Sequence, residues 1–147
     1  MSERKDLIQD FVPVQAADLL NAVADLKTAG YRLGQACATV IGDDIEVMYS
    51  FDKDVVLKNL VVTIGKSVPE LQSVTGLYWY AFIYENEMHD LFGITFKNLA
   101  LDYKGQFFKI AEETPWNKGA NAAKSVVEVA PATDDTDVAT ETTKGDE

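Results

Sequence analysis

One cysteine and one histidine in 147 residues leave little material for redox or metal chemistry. Cys37 alone closes no internal disulfide, and no Cys/His spacing resembles a zinc or iron–sulfur site, which points to a reducing compartment. Long hydrophobic runs are missing as well. No stretch approaches the ~20 residues that span a bilayer, and the opening Met-Ser-Glu-Arg-Lys-Asp lacks the apolar centre of a signal peptide, so membrane attachment is expected only through partners. Basic residues are scarce: 13 Lys and Arg stand against 24 Asp and Glu, a formal charge of -11. That sign disfavours nucleic acid and anionic lipid, which are bound through clustered cations, and suits the basic surfaces of other proteins. A phosphate loop is absent too, because Ile64-Gly65-Lys66-Ser67 lacks the upstream glycine of the nucleotide-binding motif.

What is present is the material of one folded domain. A hydrophobic fraction of 47% is ordinary for a globular protein, so the acidity does not signal disorder of the body. Residues 1–12 read as an N-terminal arm, 13–116 as the domain and 117–147 as a flexible acidic tail. After Trp116 the aromatics stop and Ala, Thr, Val, Asp and Glu take over. Such a mix buries too little apolar surface to offset the entropy of ordering, so residues after about 117 are expected to be dispensable for folding.

Within the domain the pattern predicts an α+β fold. Pro13 to Gly30 reads as a helix, with Leu19, Leu20, Val23 and Leu26 near helical spacing and Gly30 at the C-terminal cap. Tyr31 to Ile41, the turn Gly42-Asp43-Asp44, and the alternating Ile45, Val47, Tyr49 and Phe51 predict a hairpin. After the turn Asp52-Lys53-Asp54, Val55 to Ile64 has β-branched residues on both faces and suits a central strand, giving an antiparallel meander of three strands. Ser67-Val68-Pro69-Glu70 has capping-box spacing and predicts a helix start. Leu77 to Phe92 predicts the longer, aromatic-rich helix packed on the sheet, closed by Gly93, with Ile94-Thr95-Phe96 extended beyond it.

The most unusual stretch is Trp79 to Phe96, where an aromatic turn meets a charged one. On a helix Glu85 and His89 stand four apart on one face, and Glu87 and Asp90 three apart on another. A metal site built from Glu85, Glu87, His89 and Asp90 has suitable ligand types, but bundle metal sites draw on several helices and no second cluster exists here. Hydrolytic chemistry needs a nucleophile positioned by a base, or two carboxylates facing one cleft, and neither is specified. The plain structural alternative is a partly exposed Glu85–His89 pair, with Trp79, Phe82, Ile83 and Phe92 in the core.

Glu85-Asn86-Glu87-Met88-His89-Asp90-Leu91-Phe92-Gly93-Ile94-Thr95-Phe96 resembles the signature of the complex I thirty-kilodalton subunit family, found in NADH-quinone oxidoreductases. That family reads Glu-Arg-Glu-x-x-Asp-Leu-Phe-Gly-Ile-x-Phe, and eight of its positions match, from Glu85 to Phe96. The family's Arg is Asn86 here, its downstream His-Pro segment is replaced around Leu99 to Gly105, and its basic C-terminal extension is missing. In these departures the chain is similar to the short, stand-alone version found in Ech-type energy-converting [NiFe] hydrogenases.

The resemblance implies a scaffold subunit without cofactor or catalytic residues of its own. It would pack on a large catalytic and a small iron–sulfur subunit that carry the iron–sulfur clusters and the NiFe centre. It would sit at the inner, cytoplasmic face of the cell membrane. The interface implied by the motif comprises Glu85, Glu87, His89, Asp90, Leu91, Phe92, Gly93, Ile94 and Phe96. The equivalent subunit of a quinone reductase is the alternative within the class; a small stand-alone metal-binding domain or enzyme is the alternative outside it.

Overall fold

A computed structural model describes residues 6–108 and 111–122. The elements run β1 (Ile8–Pro13), a 3-10 turn (Ala16–Asp18), α1 (Leu19–Thr28), β2 (Arg32–Ile41), β3 (Asp44–Lys53), β4 (Val56–Gly65), β5 (Glu70–Gln72), a 3-10 turn (Trp79–Ala81), α2 (Phe82–Phe92) and β6 (Thr95–Lys97). The main sheet has the order β1-β4-β3-β2, and β5 and β6 form a separate two-stranded sheet. The α+β class and the antiparallel meander β2-β3-β4 are those expected.

The meander follows from side-chain alternation. Ile45, Val47, Tyr49 and Phe51 are all fully buried on one face of β3, joined there by Leu60, Val62 and Ile64 of β4. Leu19, Val23 and Leu26 of α1 belong to the same core. Gly30 (φ 89°) closes α1: its own N–H reaches the Lys27 carbonyl and the Tyr31 N–H reaches the Leu26 carbonyl.

Three expectations change. The first helix starts at Leu19 and not near Pro13, because residues 8–13, read as mostly arm, form an edge strand parallel to β4, in register from Ile8–Val56 to Pro13–Val61. A proline at the end of an edge strand sacrifices little of the ladder. The Ser67–Glu70 segment starts no helix. Glu70–Gln72 pairs in parallel with Thr95–Lys97, Leu71 is buried, and the flanking Pro69 carbonyl and Ser73 N–H are bonded to Thr95 and Lys97. A tertiary ladder thus outweighs a local capping signal worth ~1 kcal/mol.

The third change concerns the C-terminal boundary. Asn117 is buried, and its side-chain amide donates to the Lys66 carbonyl at 2.8 Å and the Phe92 carbonyl at 3.0 Å. Asn121 donates to the Gly93 carbonyl at 2.8 Å, and its backbone N–H to Ser67 at 2.8 Å. Residues 117–122 are therefore joined to the body, while the rest of the expected tail lies outside the described residues. Ending the chain at Trp116 is expected to lower unfolding stability by about 2–4 kcal/mol, since several hydrogen bonds to buried carbonyls go together. Ending it at Ala122 should leave the urea midpoint near that of the full chain. Equal midpoints for the two truncations would refute the role given to Asn117 and Asn121.

Candidate functional site

The site is built on α2 and on what packs around it. β2 is an edge strand, so its outer backbone groups have no ladder partner among the described residues, and Tyr80 and Tyr84 supply partners while Tyr78 ties the residue just before it. The Tyr80 hydroxyl accepts from Leu33 N–H at 3.2 Å and donates to the Leu33 carbonyl at 3.0 Å. Tyr84 donates to the Gly34 carbonyl at 3.0 Å, and Tyr78 to the Tyr31 carbonyl at 2.5 Å. The β2–β3 register shifts between Leu33 and Gln35, where regular pairing is interrupted. The tyrosines thus seat α2 on the sheet with ring and hydroxyl at once.

Glu85 turns inward and is fully buried, so the expected exposed pair with His89 does not form. Its Oε1 accepts from the Tyr49 hydroxyl at 3.0 Å and Val74 N–H at 2.9 Å, and its Oε2 from the Ser73 hydroxyl at 2.5 Å. Burial pushes the Glu85 pKa up, while the bonds from Ser73, Val74 and Tyr49 pull it back. Tyr49 is driven well above the usual tyrosine range, by its own burial first and then by the Glu85 charge. Glu85 is an internal strut joining β3, α2 and the 73–75 loop.

Asn86, the departure from the family motif, is also fully buried. Its amide donates to the Phe82 and Leu101 carbonyls, both at 2.7 Å, and its Oδ1 accepts from Tyr103 N–H at 2.9 Å. It clamps the 101–103 segment, the same segment that departs from the family. Sequence reasoning missed this role, although a polar, mediocre helix former in mid-helix is a signal for such a tertiary bond.

The remaining motif residues divide by depth. Leu91 is half-buried against the core, and Phe92, Gly93, Ile94 and Phe96 are buried. Gly93 caps α2 at φ 73°, as expected, and a Cβ there would lie 2.7 Å from Ala120 Cβ and 2.9 Å from Thr114 Cγ2. Glu87 is half-exposed and makes no hydrogen bond or ion pair among the described residues. Its charge reaches Cys37 on β2, whose thiol is pushed up by desolvation first and by Glu46 and Glu87 after it. The ring of His89 sits 2.8 Å from the Ile94 carbonyl through Nδ1, which must carry the proton because a carbonyl only accepts. Asp90 is 2% exposed; its Oδ2 accepts from Phe108 N–H at 2.8 Å and its Oδ1 has no partner among the described residues.

The aromatic turn was expected to fill the core, yet Trp79 is 67% and Ile83 43% exposed, with Phe82 half-buried. The buried positions here are Ala81 of the 3-10 turn and Glu85, Asn86, Met88, Asp90 and Phe92 of α2, so the other aromatics lie outside. Trp79 stacks on Phe82 at 5.3 Å, Phe82 faces Tyr103 at 6.4 Å, and Tyr103, Phe107 and Phe108 continue the row at 5.1 and 5.0 Å. A connected apolar ridge beside a carboxylate is characteristic of interaction surfaces. Among the described residues no group of three or more His, Cys, Asp or Glu side chains is placed to hold a metal ion, and no helix is long and apolar enough to cross a membrane.

The family described as respiratory-chain NADH dehydrogenase, 30 Kd subunit, matches residues 12–126. The chain belongs to that family. It is similar, at 42% identity over 59 residues, to the C subunit of F(420)H(2) dehydrogenase from Methanosarcina mazei; the match covers 38% of this chain and 37% of that relative's length. Its fold is similar to Nqo5 in a trypsin-resistant fragment, with TM-score 0.56 and 23% identity, over 66% of this chain and 85% of the other. It is also similar to a chain of the membrane-bound sulfane sulfur reductase, an archaeal respiratory membrane complex, with TM-score 0.67 and 16% identity, over 95% of this chain and 89% of that one. At those identities the structural likeness concerns the fold. By family the chain is thus a complex I-type subunit.

Proposed function

We propose that this chain is a non-catalytic scaffold of a membrane-bound, energy-converting [NiFe] hydrogenase of the Ech type, which couples ferredoxin-linked electron transfer to ion translocation. The observation that carries the scaffold role is the aromatic ridge from Trp79 to Phe108, together with two acids of the same helix, Glu87 and Asp90, that have no ion pair among the described residues. Charged groups of that kind gain most when a partner surface desolvates and pairs them. The hydrogenase branch rests on Asn86 and the altered 99–105 segment, which the structure joins through one clamp. The large and small iron–sulfur subunits would bring the clusters and the NiFe centre. Attachment to the inner face of the membrane would run through them.

A second reading, the equivalent subunit of a complex I-type dehydrogenase, is favoured by the 42% identity to the F(420)H(2) dehydrogenase relative over the matched segment. Affinity purification of the tagged chain from detergent-solubilised membranes, with mass spectrometry and metal analysis, tests both. The expected result is co-purification with a nickel-containing large subunit and an iron–sulfur small subunit, with metal absent from the chain purified alone. A nickel-free complex with quinone-site or F420-type subunits would establish the second reading. Recovery of a metal-loaded chain without partners would overturn the scaffold role.

A further inference from the structure

β2 is one edge of the main sheet, and the irregularity between Leu33 and Gln35 divides it into two stretches. Before that point the Tyr80 and Tyr84 hydroxyls occupy the outer backbone groups of Leu33 and the Gly34 carbonyl. After it, Gln35 to Ile41 pair with Ser50 to Asp44 of β3 and make no other backbone hydrogen bond among the described residues. In an antiparallel ladder every second residue turns its N–H and C=O away from the partner strand, so about three of each face outward here. Folded chains guard such an edge with charge, proline or a covering element. The opposite edge, β1, carries Asp10 and ends in Pro13. The stretch from Gln35 to Ile41 has neither, and it is as long as an ordinary strand. Two acids flank it. The Cys37 thiol is pushed up by desolvation first and then by the charges of Glu46 and Glu87, which sets both acids near the middle of the stretch. Glu87 lies on α2 one turn beyond Tyr84, whereas Glu46 stands on the opposite face of the sheet, between the buried Ile45 and Val47. Both are half-exposed, and neither makes an ion pair among the described residues.

We propose that the outer edge of β2 from Gln35 to Ile41 is the docking site for an extended segment of a neighbouring subunit that bears lysine or arginine and joins the main sheet beyond β2. Main-chain hydrogen bonds hold such a strand, and the side chains beside it select its sequence. Glu87 and Glu46, one on each side of the edge, favour cations on the incoming strand and repel acids. A second copy of this chain is a poor occupant, because pairing edge to edge would set the same acids of two chains of charge -11 beside one another. That the segment belongs to a redox complex rests on the subunit reading above; the strand pairing and its charge preference do not.

The test is amide hydrogen exchange by NMR on the full-length, ¹⁵N-labelled chain with three capped heptapeptides. One alternates valine and lysine, one has glutamate in place of lysine, and one is the valine–lysine peptide N-methylated at every residue. In the free chain the outward amides of Gln35 to Ile41 are expected to exchange fast. The valine–lysine peptide should slow them by about tenfold at saturation, in an every-second-residue pattern, and the other two peptides should not. Glu87→Lys should weaken that binding roughly fivefold while the other amides of the free chain keep their rates. No protection by the valine–lysine peptide overturns the proposal. Equal binding of the N-methylated peptide reduces the effect to charge attraction and overturns it too, and unchanged binding in Glu87→Lys overturns the charge preference. Protection already present in the dilute free chain would show that residues outside the described ones cover the edge, and protection that grows with chain concentration would show a second copy there; either result overturns the proposal. If the chain co-purifies with no complex yet the peptide protects the edge, the subunit reading falls and the docking edge stands.

Discussion

Glu85→Ala is expected to lower the unfolding free energy of the free subunit by about 3–5 kcal/mol, while Glu85→Gln should cost less than about 1 kcal/mol. Alanine leaves the Tyr49 hydroxyl, the Ser73 hydroxyl and the Val74 N–H facing an emptied site, and the first two belong to fully or nearly fully buried residues. Glutamine keeps the shape and an acceptor oxygen for Tyr49 and Val74. Its amide can donate to Ser73, whose hydroxyl then turns to Thr75 Oγ1 at 2.7 Å. The pH dependence has a definite sign. With its folded pKa above the ordinary 4.5, Glu85 binds more protons in the native state than in the unfolded state between those values. Its contribution to stability is therefore full below 4.5 and declines as pH rises through the raised value. Glu85→Gln should flatten that decline in urea unfolding measured across pH. A Gln variant as unstable as the Ala one, or an unchanged pH slope, would contradict the internal-strut assignment.

Replacing Glu87 and Asp90 together by Ala is expected to abolish most recovery of the complex from membranes while changing the free subunit's stability by no more than about 1 kcal/mol. In the free chain Glu87 has no ion pair among the described residues. Removing Asp90 forfeits one bond from Phe108 N–H but also removes an unpaired buried oxygen next to a helix C-terminus. These effects oppose each other, so the melting temperature stays nearly level. At an interface the balance differs, because truncation leaves the partner's cation desolvated and alone, a loss of about 2–5 kcal/mol. The measurement pairs thermal unfolding of the isolated variant with its yield in the purified complex. Wild-type yield, or unfolding of the free variant, would remove Glu87 and Asp90 from the interface and leave the motif as helix closure.

Much of the meander was readable from local pattern alone. Alternation in Ile45 to Phe51 specifies a face, Gly42-Asp43-Asp44 a turn, and Gly93 a left-handed helix end, because each depends on backbone conformation or on a period shared by adjacent residues. The motif from Glu85 to Phe96 likewise pointed to the family that the chain belongs to. Depth was not readable. Glu85 and Glu87 are the same residue type two positions apart on one helix, yet one is buried under three donors and the other is half-exposed. The capping signature at Ser67 lost to a strand pairing with Thr95–Lys97, and Trp79 and Ile83 were left outside the core because Tyr78, Tyr80 and Tyr84 tie the turn to the edge of β2. Asn117 and Asn121 sit in a segment whose composition reads as tail, but both cap carbonyls near α2. Composition and periodicity determined an acidic chain of α+β class with a strand meander and an unusual acidic, aromatic helix. Only the tertiary structure decided which of its acids are internal struts and which remain unpaired, because burial and hydrogen-bond partners come from residues distant in sequence.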